Sequence, residues 1–193
     1  MAPRNENLQA VLDLLCRSVA ADAARSAETE RVLRIVEERL PIRPDAGPRA
    51  EPPLQLPVCA LLDEALLATP RTPILEAFRA IEPQLTWYSR KNGDGDDRFR
   101  SCHANAMLVG PGGIERREDL WIGATLMAPN TAYPTHHHPP EEIYLVLSEG
   151  EWWKESSGWF TPGRGGTVHN APDALHAFRS GSHPLFALWA LPV

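Results

Sequence analysis

The feature that most constrains this chain is a series of short β-rich segments in its second half, separated by turns too brief to hold a long helix. Ala104–Val109, Leu120–Met127, Glu142–Ser148, Glu151–Lys154, Gly166–His169, His176–Arg179 and Leu185–Leu191 are each bounded by turn-forming residues. Six or seven strands at this spacing predict a sandwich or small barrel, so the fold is mainly β. The first half follows another period. Leu8, Val11, Leu12, Leu15 and Val19 recur at helical spacing, and a second set runs through Val32, Leu33, Ile35, Val36 and Leu40. Pro41 ends that second helix because it has no amide proton for the next turn. Six prolines between residues 41 and 57 make an extended connection. A short helix is expected over Val58–Ala68. Another is expected to start with Thr72 as N-cap and Pro73 at the first helical position, and to run to about Ile81. The chain divides accordingly into a helical extension, residues 1–85, packed on a β-barrel, residues 86–193.

Charge and cysteine content narrow the partners. The net charge is −6, and the only lysines are Lys91 and Lys154. No basic stripe of the kind nucleic acid requires is present. No apolar run approaches the ~18 residues of a membrane span. Glu6 and Asp13 interrupt the apolar pattern of the N-terminus, which reads as an amphipathic helix rather than a signal peptide. Cys16, Cys59 and Cys102 are odd in number and far apart, which argues against a disulfide framework and for a cytoplasmic location. The segment Asn92–Asp97, NGDGDD, lacks the final acidic ligand of a calcium loop and reads as a tight acidic turn. A small molecule is the partner class that remains, with the chain a monomer or homodimer.

The chemistry concentrates in Ala132–Gly150, AYPTHHHPPEEIYLVLSEG. Alternate residues of an extended chain face one side. His136, His138, Glu142 and Tyr144 are all even-numbered and converge on one face if the Pro139–Pro140 bend preserves parity. His137 and Glu141 then point away, and Ile143, Leu145 and Leu147 lie on the opposite face. Two imidazoles and a carboxylate are borderline donors that suit one divalent ion of Zn, Fe, Mn, Co or Ni. His176, placed after the Pro172–Asp173–Ala174 turn at the start of a strand, is the preferred fourth ligand, and His169 is its competitor.

His136-x-His138-x3-Glu142 resembles the first cupin motif, and the Pro172…His176 turn resembles the second. That likeness implies a cupin double-stranded β-helix of jelly-roll type. Three departures from the usual pattern concern loops: Asn130 stands where a glycine is usual, Gly150 comes one residue late, and the second turn is one residue short. A narrower likeness runs through LVGPGG at Leu108–Gly113, APNTAYPTHHHPPEEIYLVLSEGEWW at Ala128–Trp153, PGRGGTVHNAPDALHAF at Pro162–Phe178 and PLFALWAL at Pro184–Leu191. These stretches are similar to the cupin-type (DddQ-like) dimethylsulfoniopropionate lyases, which also carry a helical N-terminal extension.

The resemblance implies cleavage of a zwitterionic sulfonium carboxylate to dimethyl sulfide and acrylate by β-elimination. A divalent metal would stabilise charge growing on the carboxylate, and a tyrosine would take the α-proton. A phenol with a reference pKa of ~10 is a weak base, but a neighbouring cation favours its phenolate. Tyr144 and Tyr133 flank the ligand motif, and Tyr144 is the preferred base. The sulfonium is expected against aromatic faces, with Trp121, Phe178 and Trp189 as candidates. At most one of the adjacent Trp152 and Trp153 can face the interior. A cupin oxygenase or isomerase acting on another small carboxylate, and a non-catalytic cupin that senses a ligand, share the same ligand set. No helix-turn-helix pattern supports a transcription factor.

Overall fold

Buried apolar residues alternate so regularly along the strands that they sort into two cores, one on each face of a large sheet. The computed structural model describes residues 4–42, 52–67, 72–90 and 97–193. The NGDGDD turn lies outside the described residues except for Asp97, and so does most of the proline-rich connection.

Helix α1 is Glu6–Ala21, capped by the Asn5 side chain, which accepts from the amides of Asn7 and Leu8 at 3.0 and 3.2 Å. Helix α2 is Ala27–Arg39, capped by Ser26 Oγ on the Thr29 amide, and it ends just before Leu40–Pro41. A 3-10 turn over Pro57–Leu61 leads into α3, Leu62–Leu67, where one helix was expected. Helix α4 is Pro73–Ile81. Thr72 stands at its N-cap, but the hydroxyl makes no capping bond. Its backbone carbonyl instead takes the amides of Leu75 and Glu76 at 3.0 and 3.3 Å. Among the described residues, no helix is long and apolar enough to cross a membrane.

The strands are β1 Trp87–Tyr88, β2 His103–Val109, β3 Leu120–Met127, β4 Ala132–His136 and β5 Glu142–Val146. They continue as β6 Glu151–Lys154, β7 Gly158–Phe160, β8 Thr167–Asn170, β9 His176–Arg179 and β10 Leu185–Pro192. A short helix, α5, Asp97–Cys102, precedes β2. The large sheet runs β1-β2-β3-β10-β5-β8 and the small one β4-β9-β6-β7, with antiparallel neighbours. Three strands, β1, β4 and β7, and helix α5 add to the segments expected from sequence. Strand β4 contains Pro134, which a sheet tolerates at an edge, and β4 is an edge strand.

The outer face of the large sheet presents Ala104, Ala106, Leu108, Ile122, Ala124, Leu126, Ile143, Leu145, Phe186 and Leu188 to the helices. Helix residues Leu8, Leu12, Val19, Val32, Val36 and Phe78 close this core. The rings of Phe78 and Phe186 meet edge to face at 4.8 Å. The amphipathic helices are thus buried against the flat of the sheet. Both faces of β10 are covered, so its sequence is apolar almost throughout instead of alternating. The inner face contributes Met127, Tyr144, Val146, Leu185, Ala187 and Trp189, and the small sheet adds Tyr133, Trp152 and Phe178. Gly123 faces Trp189 across the β3–β10 ladder, and a Cβ there would lie 2.2 Å from the indole. Only glycine leaves room for that ring.

Polar ties join the helices to the strand pair β5–β8. Asp22 Oδ2 accepts from the Thr167 amide at 2.9 Å and from its hydroxyl at 2.7 Å. Arg31 pairs with Glu141, which also meets His169 Nε2 at 2.9 Å.

Candidate active site

Strand pairing gathers the chemically active residues at one end of the inner core. His136 on β4 pairs with His176 on β9, and Glu142 on β5 pairs with Asn170 on β8. His138 follows β4 in the loop before β5. The three imidazoles each place a ring nitrogen within 4.8 Å of the others. Their orientation is fixed from behind. His136 Nδ1 donates to Pro134 O at 2.9 Å, His138 Nδ1 to Pro140 O at 2.7 Å, and His176 Nδ1 to Ala174 O at 2.8 Å. A carbonyl can only accept, so each Nδ1 carries the proton and each Nε2 is left to the site.

Glu142 completes the cluster from β5 of the large sheet. Its Oε2 lies 3.3 Å from His138 Nε2 and 3.5 Å from His176 Nε2, and accepts from Asn170 Nδ2 at 3.1 Å. His137 turns outward toward Asp173. His169, the competing ligand, is engaged by Glu141 outside the cluster.

Burial sets the protonation. It is the main cause that takes His136 down to about 2, helped by the charge of His176. Burial also lowers His176, against the pull of Glu142. It would lower His138 as well, but the hydrogen bond and charge of Glu142 outweigh it and the net shift is upward. Two neutral imidazoles and a third held by a carboxylate form a donor set that fits a divalent ion. The fit is sharpened by His176 Nε2, which is buried without a hydrogen-bond partner.

Tyr144 lies one inward step beyond Glu142 on β5 and is buried beside that carboxylate. Burial, and then the charge of Glu142, push its pKa well above the ordinary phenol value. Tyr133 reaches the same interior by a different device. The β4–β9 ladder shifts register between Tyr133 and His136, so Tyr133 pairs with Phe178 while His136 pairs with His176. This bulge puts an odd- and an even-numbered residue on one face. Tyr133 stacks on Phe178 at 4.5 Å and tilts against His136 at 4.7 Å, and its hydroxyl accepts from Asn105 Nδ2 at 3.4 Å.

Of the expected sulfonium-binding aromatics, Phe178 stands among Tyr133, Tyr144 and Trp152. Trp189 is buried in the same core beside Tyr144 in register, with its indole donating to Thr125 Oγ1 at 3.1 Å. Trp121 packs on the edge of that core. Of the adjacent tryptophans, Trp152 faces inward and stacks on Phe178 at 5.7 Å.

Four residues at the site carry no signal in the sequence alone. Asn170, Asn105, His103 and Arg90 reach it only through strand pairing or through contacts from a neighbouring segment. Two loop departures are explained by backbone geometry. Asn130, in the usual glycine position, adopts φ 54°, and Asp173 adopts φ 56° in the shortened turn. Asn and Asp tolerate this left-handed region better than other non-glycine residues.

Residues 24–187 match the profile of the dimethylsulfoniopropionate lyase family. The chain belongs to that family. It is therefore a carbon–sulfur lyase by descent, built on the cupin double-stranded β-helix with a helical N-terminal extension. Dimethylsulfoniopropionate lyase DddQ of Ruegeria pomeroyi is 32% identical over 149 residues, covering 73% of this chain and 72% of its own. DddL of Cereibacter sphaeroides is 28% identical over 177 residues, 88% of this chain and 73% of that one. The crystal structure of the Ruegeria pomeroyi DddQ superposes with a TM-score of 0.75 at 24% identity, over 98% of this chain and 92% of that one. The fold is thus shared along nearly the whole chain, helices included.

Proposed function

We propose that this chain cleaves dimethylsulfoniopropionate to dimethyl sulfide and acrylate at the cluster of His136, His138, Glu142 and His176, with Tyr144 as the base. The observation that carries the reading is the convergence of three ring nitrogens beside the Glu142 carboxylate, one inward step from the buried Tyr144. A divalent ion (Zn, Fe, Mn, Co or Ni) held by the four ligands would act as a Lewis acid on the substrate carboxylate and offset the negative charge around Tyr144.

The protein groups divide the remaining work. The Tyr144 phenolate accepts the proton from the carbon α to the carboxylate. The electrons of that C–H bond form the new C=C bond, and the C–S bond breaks with its pair going to sulfur. Dimethyl sulfide leaves neutral, acrylate keeps the carboxylate charge, and Tyr144 ends protonated. Phe178, Trp152, Trp189 and Trp121 offer apolar aromatic faces for the sulfonium, which they attract without competing as ligands. Tyr133 flanks the reacting carbon as the second candidate base. Buried aromatic side chains line this interior, a setting that favours loss of a neutral leaving group over solvation of the charged substrate.

The test is headspace detection of dimethyl sulfide from purified protein supplied with each metal in parallel. The expected result is release that stops with a chelator and in His138→Ala. Absence of dimethyl sulfide with every metal would overturn the reading.

A further inference from the structure

A line of hydrogen bonds crosses the inner core and ends on Tyr133. It starts at Trp189 on β10, whose indole occupies the space that Gly123 leaves open on β3. The indole nitrogen donates to the next inward residue of β3, at Thr125 Oγ1, over 3.1 Å. Thr125 passes its own proton to Asn105 Oδ1 at 2.7 Å, and the two residues are register partners across β2 and β3. The Asn105 amide then donates to the Tyr133 oxygen at 3.4 Å, crossing from the large sheet to β4 of the small one. All four side chains are buried, between 2% and 8% exposed.

The direction of this relay is set at its start, because an indole N–H can donate and has nothing to accept with. Thr125 accepts there and donates onward. That turns the Asn105 carbonyl toward β3 and its NH2 group toward Tyr133. The Tyr133 oxygen is the final acceptor, so its own hydrogen points away from Asn105. An apolar set of the same shape would leave no donor or acceptor to satisfy in a buried core. What the polar set adds is the orientation of one hydroxyl, on a ring that lies 4.7 Å from that of His136.

We propose that Asn105 and Thr125 are positioning residues that commit the Tyr133 hydroxyl to donating its hydrogen bond into the site, onto the substrate carboxylate. The identity of that ligand rests on the lyase reading, whereas the orientation of the hydroxyl is open to independent measurement. The relay also divides the two tyrosines. Tyr144 takes the α-proton, and Tyr133, with its oxygen already engaged by Asn105, holds the carboxylate end of the zwitterion.

The experiment follows the tyrosine Raman doublet, whose intensity ratio distinguishes a phenol that accepts a hydrogen bond from one that only donates. Subtracting the spectrum of Tyr133→Phe isolates the signal, with all proteins metal-loaded and matched for metal content. Asn105→Leu should lose the acceptor signature of Tyr133. It should raise KM for dimethylsulfoniopropionate about tenfold while kcat stays within about threefold. Thr125→Val nearly keeps the shape and deletes the hydroxyl. It should move the doublet the same way and raise KM about threefold, and Thr125→Ser should restore both. The threonine pair carries the test if Asn105→Leu does not fold. A doublet unchanged in Thr125→Val and Asn105→Leu, a KM that ignores a changed doublet, or Thr125→Ser as impaired as Thr125→Val would each overturn the proposal. If wild type releases no dimethyl sulfide while the doublet moves as expected, the lyase reading fails and the orientation of Tyr133 stands. If wild type is an active lyase and neither the doublet nor KM responds, the lyase reading stands and the relay fails.

Discussion

The two faces of the large sheet are built from the same strands and do opposite things. The outer face is apolar from β2 to β5, sealed by helices whose buried residues are mainly Leu, Val and Ile, with Phe78. The inner face mixes tyrosine, tryptophan, asparagine and threonine and ends in histidines and a glutamate. Stability depends on the first, because it removes apolar area from water without a polar group to satisfy. The second holds buried donors and acceptors that are costly unless each has a partner, and His176 Nε2 has none. The outer face thus offsets the cost of the polar groups that the inner face buries.

Substitutions on each face should separate the two roles. The largest effect is expected from His138→Ala, which should lower lyase activity by at least about a thousandfold while the helix–sheet core stays folded. Circular dichroism alongside dimethyl sulfide release checks this, and coincident loss of structure would break the comparison. Phe78→Ala should do the reverse. It empties the contact with Phe186 and Trp87 and should cost about 3–5 kcal/mol of stability, with metal content per folded molecule unchanged. Denaturant unfolding measures it.

Asn170→Ala leaves every ligand in place but removes the donor to Glu142 Oε2. Metal affinity should fall by about 10–100-fold, read by competition with a chromogenic chelator. Acidity should act in the same direction. Glu142 holds the His138 pKa above its ordinary value, so metal uptake must expel a proton that is more prevalent as pH falls. Affinity should rise with pH through that raised pKa and level off above it, and Glu142→Gln should shift the curve to lower pH. The smallest effect is expected from Asp22→Ala, which unties Thr167 from the helical extension at a cost of about 1 kcal/mol.

What the sequence disclosed follows the same division. The boundaries of β3, β6 and β9 are readable from apolar residues and turn chemistry. His136, His138 and Glu142 lie within one short stretch of sequence, so their neighbourhood is legible there, although β4 and β5 belong to different sheets and His138 sits in the loop between them. Strand β4 is hidden because Pro134 and Thr135 look like loop, and β7 because three residues carry no period. Helix α5 has Phe99 as its one apolar anchor, too little for a helical pattern. Arg90, His103 and Asn170 stay silent because their roles come from pairing with segments 13 to 28 positions away in the chain. Such contacts leave no trace in a window of neighbouring residues.

The register shift in β4 bears on how this gene can change. Tyr133 and His136 are three apart and would face opposite sides of a regular strand; the shift absorbs the extra residue and lets both face the interior. Loss of a single codon at Pro134 or Thr135 would leave them two apart, which a regular strand already places on one side. Point substitutions at those two positions leave the count intact. This stretch is therefore open to drift in identity, and a one-residue deletion that also removes the shift should keep the tyrosine and the histidine facing the same way.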